Sequence, residues 1–311
     1  MVHTININIP TVTELIFARH ETFYPRYGWL KKGFEAVNAN SNIFLEEDAH
    51  IQLGVGKNMA KAIRYWCGAF KLIEDDRAGQ SSPQASPQIS QFGRLLLGED
   101  GYDSFLEDPA SLWLLHWHLL QQPCKASAWY AIFNNLHQTE FTIEDLLLML
   151  IQYRDTAGNR TVEASLKKDI TCLLRMYVRQ GDDLSLNEDN LDCPFAELGL
   201  IQKAGDGKHY LFRTGAKTSL PHEILVSACL DFAKTVSTTQ RTISLTSLLF
   251  DEGSPGMVFK LSESALCDAI EQVARWCNEI TFSDSAGIIQ MSFTQDPAKL
   301  SHTVLNKYYG K

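Results

Sequence analysis

The sequence predicts an α+β fold, mainly α, built of winged-helix-like modules with short β-hairpin wings and a central helical hub. Three observations predict it. The stretch LGVGKNMAKAIRYWCGAFKLI from Leu53 to Ile73 has the form of the turn and second helix of a helix-turn-helix. The segment DSFLEDPASLWLLHWHLL is apolar on nearly every side and so belongs inside. Helical periodicity is followed repeatedly by pairs of short strand-like stretches around turn residues.

Each element follows in order. Residues Thr13 to Val37 read as a short strand, an aromatic loop with Pro25, and a helix from near Trp29. Ala49 and Leu53 close a short helix, and Gly54-Val55-Gly56 turns the chain because glycine tolerates positive φ without a steric cost. Asn58 opens the next helix, in which Met59, Ala62, Ile63 and Trp66 form an apolar stripe while Lys57, Lys61 and Arg64 fall on other faces. From Glu74 to Ser90 the text fills with Ser, Pro and Gln and reads as a loop or an extended wing. Asp108-Pro109 starts the hub helix.

Three further helices follow: SAWYAIFNNL, TIEDLLLMLIQY capped by Thr142 with Asp145 three residues on, and VEASLKKDITCLLRMYV with Lys167, Lys168 and Arg175 outward. The stretch PFAELGLIQKAGDGKHYLFRTG makes a hairpin around Gly205-Asp206-Gly207, and EITFSDSAGIIQMSF makes another after the helix LSESALCDAIEQVARW. A chain of 311 residues suits two domains. We expect residues 1–123 to be an N-terminal helix-turn-helix domain, winged-helix-like, and 124–311 a C-terminal helical domain with winged-helix-like hairpins.

With 45% hydrophobic and 21% charged residues the composition is that of a globular protein. A net charge of −9 excludes a protein that coats nucleic acid indiscriminately, so DNA contact must be confined to patches. MVHTININIPTVTELIF lacks the form of a secretory signal, and FTIEDLLLMLIQY from Phe141 is too short to span a bilayer, so a cytoplasmic protein with no membrane partner is expected. The seven cysteines form no CxxC pair, as expected of reduced buried thiols.

Between Ala49 and Ile73 stand Lys57, Lys61, Arg64 and Lys71 and no acid, the charge footprint of a helix that faces DNA phosphates. Double-stranded DNA is the expected partner, contacted by Lys31, Lys32, Lys57, Asn58, Lys61, Arg64 and Tyr65. A helical hairpin with a solvated basic face is the alternative. The segment RHETFYPRYGW from Arg19 concentrates acid/base, cationic and aromatic side chains in one loop. Tyr24 or Tyr27 suits a nucleophile on phosphorus, His20 or Glu21 a general base, and Arg19 and Arg26 clamps on phosphoryl oxygens. Alternatively the aromatic rings seat the loop on the core and the arginines pair at the surface.

Glu99, Asp100, Asp103, Glu107 and Asp108, with His116 and His118, are the residue types that hold Mg²⁺ or Mn²⁺. Two histidines two positions apart on a helix diverge, however, so loop acids and core or capping histidines account for them better. The metal ligands stay unassigned, and no fingerprint of an organic cofactor is present.

The Leu53 turn and the AFKLI phrase resemble winged-helix regulators of the GntR type. Taken together, FARHETFYPRYGWLKKGFEAV, LGVGKNMAKAIRYW, LEDPASLWLLHWHL, PFAELGLI and EGSPGMVFKL from Glu252 resemble a family of uncharacterised-domain proteins encoded beside bacterial DNA phosphorothioation genes. The resemblance implies a single-strand DNA nickase of that phage-defence system. It also implies a cysteine desulfurase, an ATPase and an ATP-pyrophosphatase-like sulfur transferase as partners. A non-catalytic DNA-binding adapter that recruits the sulfur-transfer enzymes, or a transcriptional regulator, is the alternative.

Overall fold

The fold is known from a computed structural model that describes residues 14–75, 86–179, 193–285 and 287–311. Helix α1 (Trp29–Ala39) packs on α3 (Lys57–Ala69), with α2 (Ala49–Gln52) at the turn between them. The approach is close because Gly33 has no Cβ, and one there would collide with the Cys67 Sγ. Gly54 takes φ +62, as the turn required, and Gly56 caps α3 one residue before the expected start. The predicted stripe is buried at Ala62, Ile63 and Trp66 and half-buried at Met59.

Two expectations change here. Residues 14–17 form no strand, since their hydrogen bonds go to a helix start instead: the Ser127 Oγ accepts from the Ile16 amide at 2.8 Å. The ends of the Ser/Pro/Gln segment are not loop but a two-stranded ladder, β1 (Ile73–Asp75) on β2 (Pro87–Ile89). The expected wing between them, 76–85, lies outside the described residues. Ser90 then caps α4 (Gln91–Leu97).

The hub forms where it was read. In α5 (Pro109–Leu120) the Asp108 carboxylate accepts from the Ala110 amide at 2.8 Å, and Trp113, Leu115 and Trp117 are sealed off from water. The adjacent acids serve the backbone: Asp103 accepts from the amides of Glu107 and Asp108, each at 2.9 Å. His116 is fully buried between the Tyr177 hydroxyl (2.7 Å) and the Val258 carbonyl (3.0 Å), and His118 stacks on Phe92. Both ring nitrogens of His116 are thus engaged within the chain.

Beyond the hub a similar order of elements occurs twice, with one helix more the second time. Helix α6 (Ser127–Asn135) leads to strand β3 (Glu140–Phe141), α7 (Ile143–Thr156), α8 (Glu163–Tyr177) and the hairpin β4 (Ile201–Lys203) and β5 (Tyr210–Phe212); the antiparallel sheet runs β3-β5-β4. Thr142 and Asp145 make the capping box foreseen for α7. Helix α9 (His222–Val236) leads to β6 (Thr242–Ser244), α10 (Leu245–Phe250), α11 (Pro255–Phe259), α12 (Glu263–Ala274) and the hairpin β7 (Ile280–Ser285) and β8 (Ile288–Phe293); this sheet runs β6-β8-β7. The last helix, α13 (Pro297–Tyr309), lies along α9, and Ser227 and Ser301 share a hydrogen bond of 2.8 Å between them.

The fold is thus α+β, with small antiparallel sheets at the ends of helical groups. One continuous apolar core joins the N-terminal helices to both repeats of that order. All seven cysteines are free. Among the described residues no helix is long and apolar enough to cross a membrane.

Candidate functional site

The aromatic loop is held in a conformation that side chains normally avoid. Ala18, Glu21 and Thr22 have φ of 54, 50 and 69, the left-handed region that suits glycine. Asp169 holds it there. Buried on α8, its carboxylate accepts from the Ala18 amide at 3.0 and 3.1 Å and meets the His20 Nε2 at 2.8 Å. The Trp66 Nε1 fixes the other side by donating to the Phe23 carbonyl at 2.9 Å. Burial raises the Asp169 carboxyl above its ordinary range, and the contacts with His20 and Ala18 oppose that shift.

This arrangement corrects the role expected of His20. The imidazole is fully buried, stacked on Trp66 and edge-on to Trp129, so it anchors the loop and is not open to a substrate as a base. Sequence reading missed Asp169. Its signal was a carboxylate on the apolar stripe of α8, three residues after Leu166 and four before Leu173.

A cleft of about 550 Å³ opens beside the loop. It brings together six of the residues singled out in the sequence: Arg19, Glu21, Lys57, Lys61, Arg64 and Tyr65. Four of them, Arg19, Lys57, Lys61 and Arg64, are cations, and Lys61 stands 3.8 Å from the Glu21 carboxylate. The expected excess of positive charge is largely offset in space, however, although Lys125 adds a fifth cation to the lining. Glu14, Glu46 and Glu47 line the same cleft as Glu21, so carboxylates from outside the Ala49–Ile73 window face the cations of α3. Lys71, counted in that excess, turns inward and donates to the Gln121 carbonyl at 2.5 Å, and burial pushes its amine down to about 8.

Tyr65 is already engaged at the cleft wall, and the remaining sequence candidates lie elsewhere. Tyr65 donates to the Lys125 carbonyl at 3.2 Å, and burial raises its phenol well above the ordinary value, which opposes ionisation. Lys31 donates to the Leu97 carbonyl at 3.2 Å and Lys32 to that of Leu53 at 2.9 Å, and both line a different, shallower hollow. Asn58 is exposed at the start of α3. Tyr24 packs half-buried on the core, and Arg26 lies over the rings of Phe23 and Trp29 at 5.9 and 5.5 Å.

Tyr27 is 55% exposed and donates its hydroxyl to Glu197. Glu197 in turn lines a second cavity of about 550 Å³ with Arg179, Lys203, Arg213 and Lys217. The loop from Arg19 to Tyr27 therefore runs from one cation-lined cavity to another. Burial lowers the Lys217 amine to about 8. Among the described residues no three His, Cys, Asp or Glu side chains converge to hold a metal ion.

The arrangement can be compared with known proteins. A family model described as "Protein of unknown function (DUF4007)" matches residues 17–309, nearly the whole chain. The chain belongs to the DUF4007 family. A magnesium-bound crystal structure of the protein SspB matches with a TM-score of 0.89 and 39% identity, covering 96% of this chain and 89% of that one. A second SspB crystal structure matches with the same TM-score and coverage at 38% identity. The chain is thus an SspB-like member of an uncharacterised family. No curated protein matches it.

Proposed function

We propose that this protein binds double-stranded DNA and nicks one strand of it within the phosphorothioate modification of bacterial DNA that supports phage defence. The reading rests on its likeness to SspB and on one geometric observation: a conformationally constrained loop carrying Arg19, Glu21 and Tyr27 bridges two cavities lined by cations. Phosphates of one strand would lie along Arg19, Lys57, Lys61 and Arg64, and the second cavity would take the backbone further on through Arg179, Lys203 and Arg213. Glu21, half-buried at the cleft wall, is the carboxylate placed to take a proton from an attacking water, and Arg19 to stabilise phosphoryl charge.

The recurring order of a helix, a strand, two or three helices and a hairpin, with the first strand pairing on the last, supports reading each unit as a winged helix. The division at residues 123 and 124 is retained as a proposal about separable roles, not separate cores. A divalent ion, Mg²⁺ or Mn²⁺, would draw on one or two glutamates of the cleft, with water and DNA phosphates completing its shell. Partners in the modification system, a cysteine desulfurase, an ATPase and a sulfur transferase, belong to the same proposal.

The burial of His20 favours a second reading, a non-catalytic adapter that binds DNA and recruits the sulfur-transfer enzymes. Incubating purified protein with supercoiled plasmid and Mg²⁺ or Mn²⁺ separates the two. Open circle that disappears with chelator supports the nickase; retarded but uncut plasmid supports the adapter. A protein–DNA adduct surviving denaturant would move the chemistry to Tyr27 and away from water activation.

A further inference from the structure

A cavity of about 430 Å³ opens on the seam between the N-terminal helices and the second repeat, and it shares no lining residue with the cleft or the basic cavity. Helices α4, α5 and α6 contribute Phe92, Trp117 and Tyr130, so one wall is aromatic. The facing wall carries two carboxylates, Asp231 on α9 and Glu252 in the turn before α11. Asp231 accepts from Ser301 and from the Trp117 Nε1 at 3.4 Å, and the Glu252 carboxylate accepts from Tyr130. The basic groups on the rim beside Asp231, Lys234 and His302, are exposed. His118 adds no charge, since burial holds its imidazole down to about 3.

Two buried polar atoms at this cavity lack a hydrogen-bond partner among the described residues: the Glu252 Oε1, an acceptor, and the Gln121 Nε2, a donor. Buried polar groups in folded proteins are nearly always satisfied, so an unmatched acceptor and donor on one cavity mark what a ligand must bring. Glu252 requires a donor and Gln121 an oxygen. Two carboxylates among aromatic faces favour positive charge on that donor, because a cation both offsets them and rests on the rings. The volume falls within the range of small-molecule sites.

The geometry points to a binding site for a small organic cation, an amine or guanidine that also carries an oxygen, with its charged nitrogen on Glu252 and Asp231 and its oxygen on Gln121. Burial raises both carboxyls above their ordinary range, and a bound cation would oppose that shift. A ligand here would also clamp the two halves of the molecule together across the seam.

Calorimetric titration of the full chain with Nα-acetyl-L-argininamide, butylguanidine and the uncharged Nα-acetyl-L-citrulline amide tests this. The argininamide should bind, butylguanidine several-fold more weakly for want of an oxygen, and the citrulline amide at least tenfold more weakly for want of a charge. Glu252→Gln should weaken argininamide tenfold or more without lowering the unfolding temperature, since it removes an unmatched carboxylate oxygen. Gln121→Ala should bring the argininamide down to the level of butylguanidine. If Glu252→Gln does not fold, the ranking of the three probes and Gln121→Ala still decide. Equal binding of the charged and neutral amides, displacement of argininamide by Mg²⁺ at equimolar concentration, or no binding by any probe up to millimolar concentration would overturn the assignment.

Discussion

Asp169 and His20, 149 positions apart in the chain, meet at 2.8 Å inside the core, and the same carboxylate holds the Ala18 amide. The pair ties a loop near the N-terminus to α8, so the backbone strain at Ala18, Glu21 and Thr22 is supported by tertiary structure and not by local propensity. The cleft wall therefore depends on a residue that never touches the cleft.

Removing His20 leaves the buried Asp169 carboxylate with the Ala18 amide but without its side-chain partner, and removing Asp169 leaves His20 buried without this contact. We expect His20→Ala to cost about 3–5 kcal/mol, and Asp169→Asn, which keeps an acceptor for the Ala18 amide, about 1–3 kcal/mol. In a urea double-mutant cycle the two changes should couple by about 1 kcal/mol or more. Strict additivity would show that the contact does not act as a unit.

Trp66→Ala should be a folding defect of about 3–5 kcal/mol. The indole is fully buried, stacks on His20, sits 5.4 Å from Trp129 and donates to the Phe23 carbonyl. Wild-type thermal stability in this variant would contradict the packing that joins α3 to the loop.

Acid should unfold the protein partly through its hub. Burial lowers the His116 imidazole from 6.5 to about 4, and the nearby Lys260 adds to the shift. The native state therefore binds this proton less readily than the unfolded chain. Its contribution, on the order of 2–3 kcal/mol, is present above pH 6.5 and is lost as the pH falls through about 4. His118, lowered to about 3, extends the loss further into acid. His116→Gln should flatten the slope of urea stability against pH between 6.5 and 4. An unchanged slope would show that His116 protonates without penalty.

How much of this was legible in the sequence depends on whether the information was local. The α3 stripe, the Gly54 turn, the Asp108 cap, the Thr142 capping box and two later hairpins are set within a few residues, and periodicity and turn chemistry reveal them. Strands β3 and β6 escaped because two or three residues carry no period and pair only with distant hairpins. The site split in the same way. Arg19, Glu21, Lys57, Lys61 and Arg64 do meet in one cleft, yet Glu14, Glu46 and Glu47 reach it from outside the segment whose charge was counted. The inward turns of His20 and Lys71 were invisible for the same reason, since Asp169 and Gln121 approach them only in the fold.

The opposed charges of the cleft give the most discriminating test of the DNA reading. Lys57 and Lys61 are exposed and lie off the apolar stripe, so Lys57→Ala/Lys61→Ala should fold normally. If both contact phosphate, the slope of log affinity against log salt should flatten by about 2, given a slope of about 0.9 per contact. Glu21→Gln should act in the other direction on binding. It removes a negative charge 3.8 Å from Lys61 that repels phosphate, so DNA affinity should hold or rise a few-fold. Nicking by the same variant should fall by about 10²–10³ if Glu21 takes the proton of the attacking water. Tighter binding with lost cutting is an outcome that misfolding does not produce, because an unfolded cleft loses both. An unchanged salt slope in the lysine variant would remove α3 from the interface, and full nicking by Glu21→Gln would place the base elsewhere.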